Sequence, residues 1–171
     1  GVASESTMMT PVAYRLAPHT PGEVVSELSG FSPLVQQLLH SRGIVTRADA
    51  DIFLSPQYET LHDPFLMTDM EKAVTRTLDA LAEGERVVVF SDYDCDGIPG
   101  GVLLHDFLVA VGYTNFENYI PHRHSEGYGL NVAAIETLAQ RGAELIITVD
   151  CGITDVVPTA RARAAGIDVI I

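Results

Sequence analysis

The chain has 171 residues, of which 47% are hydrophobic and 19% are charged, and its formal net charge at pH 7 is −13. This balance is typical of a globular domain with a buried core and excludes a disordered or collagen-like chain. The acidic excess argues against a broad basic surface for nucleic acid, because affinity for phosphates comes largely from Lys and Arg.

No segment indicates export or membrane insertion. The apolar runs at 87–90 and 145–149 are strand-sized, far shorter than the roughly 20 residues that cross a bilayer. The first residues lack the basic and apolar regions of a signal peptide. Cys95 and Cys151 form neither a disulfide framework nor a CxxC pair. We therefore expect a cytoplasmic protein with reduced cysteines and no membrane partner.

The first third of the chain predicts an arm followed by short helices. Residues 1–30 are rich in Ser, Thr, Pro and Gly, which predicts an extended arm. Residues 31–67 predict a helical segment. Its first helix has a Ser-Pro start at 32–33 and a Gly stop at 43, and its second follows Thr46 and ends before Pro56.

Residues 68–171 predict an α/β domain. A capping box of Thr68 and Glu71 starts a helix that runs to Gly84. Strands are then predicted at 86–90, 116–120, 145–149 and 168–171, alternating with helices at 102–111, 132–140 and 156–165. This alternation predicts a doubly wound, mainly parallel sheet with flanking helices, whose functional loops lie beyond the carboxyl ends of the strands.

The loop after the first strand reads SDYDCDG and places Asp92, Asp94 and Asp96 at alternate positions. Such carboxylates repel one another unless a cation or water lies among them. An EF-hand loop also begins this way, but Leu103 stands where a bidentate Glu is needed, and a strand precedes the loop. The glycine spacing fits neither nucleotide-binding fingerprint. A metal site and a purely structural Asp-rich turn both stay open at this point.

Asp150 follows the third strand, at the same predicted edge of the sheet. An Asp at a strand end is usually a turn former or helix cap, but its register with the first acidic loop favours a shared site. Two divalent ions about 3.5–4 Å apart, bridged by a carboxylate, are a common solution for phosphodiester hydrolysis.

The loop after the second strand, PHRHSEGYGL at 121–130, combines basic side chains with glycine. Arg123 could bind a phosphate through two hydrogen bonds, and His122 or His124 could ligate a metal or donate to a phosphate oxygen. The alternative is a Gly-rich loop whose histidines are merely exposed, and we favour it for His124.

The motifs DYDCDG, PHRHSEGYGL and ITVDCGI, in this order and spacing, resemble the first motifs of RecJ-type exonucleases of the DHH phosphoesterase family. The resemblance runs from about residue 31 to the end. It implies the DHH phosphoesterase fold and a site with two Mn²⁺ or Mg²⁺ ions. It further implies removal of nucleotides from a 5′ end of single-stranded DNA, in DNA repair and recombination.

The resemblance also assigns roles to individual residues. Asp94, Asp96 and Asp150 are expected to be catalytic metal ligands, and Asp92 a further ligand or a carboxylate that supports one. Residues expected to contact substrate are His122, Arg123, Gly127, Tyr128 and Gly129. Cys95 and Cys151 adjoin proposed ligands, so we expect buried thiols beside the site that do not bind metal.

The sequence departs from the family pattern in two places. Ser91 stands where the family usually has Gly, and the segment 98–101 replaces a Val-Thr-like pair, which puts the geometry between loop and helix in question. The Asp-His-His triplet itself should follow Ile171, so we expect this piece to be inactive alone. Two further functions stay open: a DHH phosphodiesterase for short oligonucleotides or cyclic dinucleotides, and a non-catalytic DHH-like scaffold for a partner protein.

Overall fold

The computed structural model describes residues 15–171, so most of the first half of the predicted arm lies outside the described residues. The chain divides into two compact units with the boundary between Asp63 and Pro64, whereas the sequence predicts a boundary after residue 67. Across the described residues, no helix has both the length and the apolar character that a membrane span requires.

Residues 15–63 form three helices, α1 (Gly22–Glu27), α2 (Pro33–His40) and α3 (Arg47–Leu54), and a 3-10 turn at Tyr58–Thr60. The two predicted helices are confirmed with their caps. The Ser32 side chain accepts a hydrogen bond from the backbone N–H of Val35, and the Thr46 side chain accepts one from Asp49.

The prediction of an extended arm is wrong at residues 22–27, which form α1. Val24 and Leu28 are buried against Leu39 and Ala50 in a small core. A six-residue helix is marginal by itself, so its apolar contacts with the next two helices stabilise it. Local composition could not reveal these contacts.

The second unit, Pro64–Ile171, has a four-stranded parallel sheet with the order β2-β1-β3-β4. Its elements are a 3-10 turn at Pro64–Leu66, α4 (Met70–Glu83), β1 (Val87–Ser91), α5 (Gly97–Ala110), β2 (Phe116–Tyr119), α6 (Val132–Gln140), β3 (Leu145–Val149), α7 (Val156–Ala164) and β4 (Asp168–Ile170). The predicted α/β fold is confirmed.

Both faces of the sheet are covered. Val88, Phe90 and Ile146 pack with the buried side of α6 and with Ala162 of α7. On the other face, Val87 and Leu145 form a second cluster with Ala80 of α4. Successive side chains of a strand point to opposite faces, so a strand covered on both sides is apolar throughout, as β1 is.

The start of α4 differs from the prediction. The capping box of Thr68 and Glu71 is wrong: the residue before the helix is Asp69, which has a left-handed φ of 61° and no side-chain capping bond. The N–H of Met70 donates instead to the carbonyl of Met67, at 3.3 Å. The turn that precedes α4 therefore sets its first residue.

Helix α5 begins at Gly97, five residues earlier than the predicted start at 102. Pro99 is tolerated there because the first turn of a helix needs no N–H donors. The glycines allow close packing: a Cβ at Gly100 would lie 2.5 Å from Val149 Cγ1, and one at Gly101 would lie 2.7 Å from Ser91 Oγ. The segment 98–101, which departs from the family pattern, thus forms the first turn of a helix that packs on β1 and β3.

The contact of Gly101 with Ser91 generates a stability prediction. Gly101→Ala should lower the free energy of unfolding by about 1–3 kcal/mol, because the added methyl group overpacks against the buried Ser91 side chain. In a Ser91→Gly background the same change should be neutral or should stabilise by up to about 1 kcal/mol, since Ala favours helix over Gly. Urea unfolding of the four proteins measures the coupling. Equal effects of Gly101→Ala in both backgrounds would contradict the packing argument.

Candidate metal centre

The ends of β1 and β3 are level. Ser91 pairs with Val149, so Asp92 and Asp150 are the first residues beyond paired positions on neighbouring strands. Asp92, Asp94 and Asp150 each present an atom within 4.8 Å of the others, in a group that could hold a metal ion. Asp96 is not a member of this group, although it is near enough to shift the pKa of both Asp94 and Asp150. The structure therefore brings together three of the four predicted acidic ligands, with Asp96 beside them.

Asp92 is the buried member of this group, with 1% of its surface exposed. Its backbone N–H donates to the carbonyl of Val149 at 3.2 Å, but its Oδ1 is buried without a hydrogen-bond partner among the described residues. A buried carboxylate without a partner is costly, and a cation would relieve the cost. A set of carboxylate oxygens also suits a hard divalent ion, so these residues fit Mn²⁺ or Mg²⁺.

The acidic residues differ in the direction in which their pKa values are shifted. Burial, followed by the charges of Asp96 and Asp94, raises the pKa of Asp150 above its ordinary value. A hydrogen bond with Asp96, followed by one from the backbone N–H of Gly97, lowers the pKa of Asp94. Without metal, Asp150 therefore takes up a proton at a higher pH than Asp94.

Asp150 also has an unusual backbone conformation, with a left-handed φ of 58°. The hydroxyl of Tyr128, a predicted substrate contact, donates to the carbonyl of Asp150 at 2.8 Å. The Thr148 hydroxyl donates to the next carbonyl, that of Cys151, at 3.0 Å. The two hydroxyls thus hold the turn that carries Asp150.

Glu126 fixes the loop after β2. It accepts a hydrogen bond from the His122 backbone N–H at 2.7 Å and one from the Tyr119 hydroxyl. These bonds lower the pKa of Glu126, with the Tyr119 bond first, while burial and then the same bond raise the pKa of Tyr119 to about 12.

The same loop is tied to the β3–α7 loop through Asp155. The Leu130 N–H donates to Asp155 Oδ2 at 2.7 Å. Gly127 and Gly129, both predicted to shape the site, have left-handed φ values of 82° and 78°. A Cβ at Gly129 would lie 2.5 Å from Asp155 Oδ2, so the contact requires glycine.

The basic residues of the loop after β2 are not members of the group of three acids. The Arg123 guanidinium is 4.3 Å from the centroid of the Tyr93 ring and has no hydrogen bond or ion pair with any residue of 15–171. His122 and His124 are exposed, with ring centroids 5.8 Å apart, and His122 Nδ1 is 3.0 Å from Ser125 Oγ. Neither histidine belongs to the candidate ligand group found in the described residues.

Residues 86–171, which include all three loops, match the family model described as the DHH family, N-terminal domain. The chain belongs to the DHH family. The single-stranded-DNA-specific exonuclease RecJ of Bacillus subtilis is 38% identical over 148 residues, which are 86% of this chain and 19% of that protein. The RecJ of Escherichia coli is 32% identical over 139 residues, 81% of this chain and 23% of that protein.

The RecJ of Thermus thermophilus is 34% identical over 102 residues, 60% of this chain and 15% of that protein. The predicted resemblance to RecJ-type members of the DHH family is confirmed. The chain spans about a fifth of the length of these relatives.

Three residues of this DHH site escaped the sequence interpretation: Tyr93, Glu126 and Asp155. Glu126 lies within the recognised EGYGL motif, and Asp155 directly precedes α7, so each had a local signal. Tyr93 lies within the recognised DYDCDG motif, but no local pattern predicts its contact with Arg123.

The cysteines flank the acidic residues but differ in exposure. Cys95 is exposed, so the expectation of a buried thiol is wrong there, since the loop turns it outward. Cys151 is half-buried against the core, and its thiol lies 3.9 Å from the carbonyl oxygen of Phe90. Burial, followed by the charge of Asp92, raises the pKa of Cys151 to about 11.

The pKa of Cys151 predicts selective labelling. In the 171-residue chain at about pH 8, a soluble disulfide reagent should modify Cys95 rapidly and Cys151 slowly, because only about a thousandth of the Cys151 thiols are ionised. Stopped-flow absorbance should give a fast phase lost in Cys95→Ser and a slow phase lost in Cys151→Ser. A fast phase that survives Cys95→Ser would contradict the assignment.

The pKa of Asp150 predicts a pH-dependent gain in stability. At about pH 7, Asp150→Asn should raise the urea midpoint of the metal-free protein, because it removes one crowded charge and Asn tolerates a left-handed φ. The folded state binds the Asp150 proton more tightly than the unfolded state, so this contribution to stability is present at low pH and is lost as pH rises through the raised pKa.

The advantage of Asp150→Asn should therefore disappear below about pH 4. Asp106→Asn, an exposed position on α5, serves as the matched control and should change little at either pH. A loss of stability in Asp150→Asn at neutral pH, or a gain that does not depend on pH, would contradict the repulsion argument.

Proposed function

We propose that this chain is part of a metal-dependent exonuclease that hydrolyses phosphodiester bonds of single-stranded DNA from the 5′ end, in DNA repair and recombination. The observation that carries the proposal is the buried, unpartnered Oδ1 of Asp92 within the group formed with Asp94 and Asp150. The relatives named as single-stranded-DNA-specific exonucleases support single-stranded DNA as the substrate.

In this proposal, Asp92, Asp94 and Asp150 hold two divalent ions, Mn²⁺ or Mg²⁺, with Asp96 beside them. Such ions supply an activated water and stabilise the charge that develops on the phosphate. The role of the chain's own residues is to bind these ions and to hold them in place. Asp92 is fixed by its burial, and Asp150 is fixed by the hydrogen bond from the Tyr128 hydroxyl to its carbonyl.

Arg123 is proposed to bind the phosphate. A guanidinium presents parallel N–H donors that match two phosphate oxygens, and those of Arg123 are not used by any described residue. The acidic loops around it repel a DNA backbone, so they do not provide a general nucleic-acid surface. Recognition here is therefore proposed to act on the reacting phosphate, with His122, Gly127 and Gly129 lining its approach.

Loss of one carboxylate charge should abolish the proposed activity. In a longer protein that contains this chain, Asp92→Asn should lower kcat at saturating Mn²⁺ by at least about a hundredfold and weaken Mn²⁺ binding by at least about tenfold, because a neutral amide is a poor metal ligand. Release of nucleotides from labelled single-stranded DNA measures kcat, and calorimetric titration measures Mn²⁺ affinity. Asp106→Asn is the matched control and should leave both unchanged.

The same assay separates the other functions. Oligonucleotides of increasing length, labelled at either end, and cyclic dinucleotides are offered at equal concentration. Hydrolysis restricted to dinucleotides would replace the exonuclease with a DHH phosphodiesterase for small substrates. Failure of the wild-type protein to bind Mn²⁺ or to hydrolyse any of these substrates would favour the non-catalytic scaffold.

A further inference from the structure

We infer that Tyr93 is a positioning residue for the proposed reaction: its ring holds the Arg123 guanidinium and leaves N–H donors of that group available to a substrate phosphate. The inference rests on the proposed function, to which it adds a residue that no motif assigns. It is carried by the position of the Arg123 guanidinium over the Tyr93 ring and by the charges around the two residues.

Arg123 is the single Lys or Arg in the three loops that follow β1, β2 and β3. The same loops contain six carboxylates, those of Asp92, Asp94, Asp96, Glu126, Asp150 and Asp155. A cation in such surroundings gains electrostatic energy from pairing with an acid. Nevertheless, Arg123 pairs with no described residue.

The contact with Tyr93 explains this isolation. The guanidinium carbon of Arg123 lies 4.3 Å from the centroid of the Tyr93 ring. Such a contact is an attraction between the positive charge and the ring face, and it uses no N–H···O hydrogen bond of the guanidinium, which has five N–H donors. The ring therefore holds Arg123 without an acceptor for its N–H donors, which an ion pair with an Asp would engage.

Tyr93 lies between Asp92 and Asp94, two members of the candidate ligand group. The peptide segment that orients the carboxylates therefore also carries the platform for Arg123. This arrangement fixes the phosphate-binding cation relative to the acidic group, although Arg123 itself belongs to a different loop. The loop that carries Arg123 is stabilised by Glu126, whose carboxylate accepts a hydrogen bond from the backbone N–H of His122.

The test compares five variants of a longer, active protein that contains this chain: Tyr93→Phe, Tyr93→Leu, Arg123→Ala, the double variant Tyr93→Leu with Arg123→Ala, and Tyr58→Leu. Steady-state kcat and KM are measured on a short oligothymidylate with Mn²⁺, and Mn²⁺ affinity is measured by calorimetry. Tyr58 is exposed and lies in the first unit, so the same substitution there is a matched control.

Tyr93→Leu should raise KM by about threefold to tenfold, with kcat within about twofold and Mn²⁺ affinity unchanged. Tyr93→Phe should behave as wild type, because it retains the aromatic face. Once Arg123 is Ala, Tyr93→Leu should have no further effect, and Tyr58→Leu should have none at all. A KM that does not respond to Tyr93→Leu, effects that add to those of Arg123→Ala, or a parallel loss of Mn²⁺ affinity would overturn the inference.

A binding experiment separates this inference from the proposed function. Fluorescence anisotropy of a labelled oligothymidylate, with Ca²⁺ in place of Mn²⁺, reports affinity without turnover. If the wild type binds but does not hydrolyse DNA, and Tyr93→Leu weakens binding as expected, the proposed exonuclease fails while the role of Tyr93 stands. If the wild type hydrolyses DNA and Tyr93→Leu matches it in binding and KM, only the inference fails. Absence of both binding and hydrolysis in the wild type would overturn both.

Discussion

The pairing of Ser91 with Val149 is the constraint on which the site depends, because it makes two parallel strands end at the same level. Asp92 and Asp150 leave those strands side by side, and the loop after β1 adds Asp94 to the same place. The arrangement is costly for a chain without metal. Asp92 is buried with an unpartnered oxygen, and desolvation, followed by the charges of Asp96 and Asp94, raises the pKa of Asp150. The apolar clusters on both faces of the sheet stabilise the fold that carries these acidic residues.

The loops around the acidic group are held mainly by contacts with one another. Within the loop after β2, the Glu126 carboxylate accepts a hydrogen bond from the His122 N–H. The Tyr128 hydroxyl donates to the carbonyl of Asp150, and the Leu130 N–H donates to the Asp155 carboxylate. These bonds connect the loops after β2 and β3, which carry different parts of the proposed machinery. A preorganised site requires such support, because side chains left to move would lose their alignment with a substrate.

The charge distribution favours recognition of one phosphate over recognition of a long nucleic-acid backbone. The chain has a net charge of −13, and one Arg stands among the acidic loops at the carboxyl edge of the sheet. A cation placed on an aromatic face can serve a single phosphate whose other charges a metal neutralises. Arg123 is the single Lys or Arg in the three loops, so these loops offer no second cation for neighbouring phosphates.

The sequence by itself determined the alternation of strands and helices, the order of the three loops and the set of acidic residues, because burial periodicity and turn residues are local signals. Strands β2 and β3 and helices α2, α3 and α6 agree closely with their predicted ranges. Tertiary structure decided the rest. The helix α1 forms through burial of Val24 and of Leu28 directly after it, and α5 begins at Gly97 because glycines permit contact with two strands. Likewise, only the folded chain brings Tyr93 under Arg123, since their contact joins loops that are distant in sequence and no local pattern encodes it.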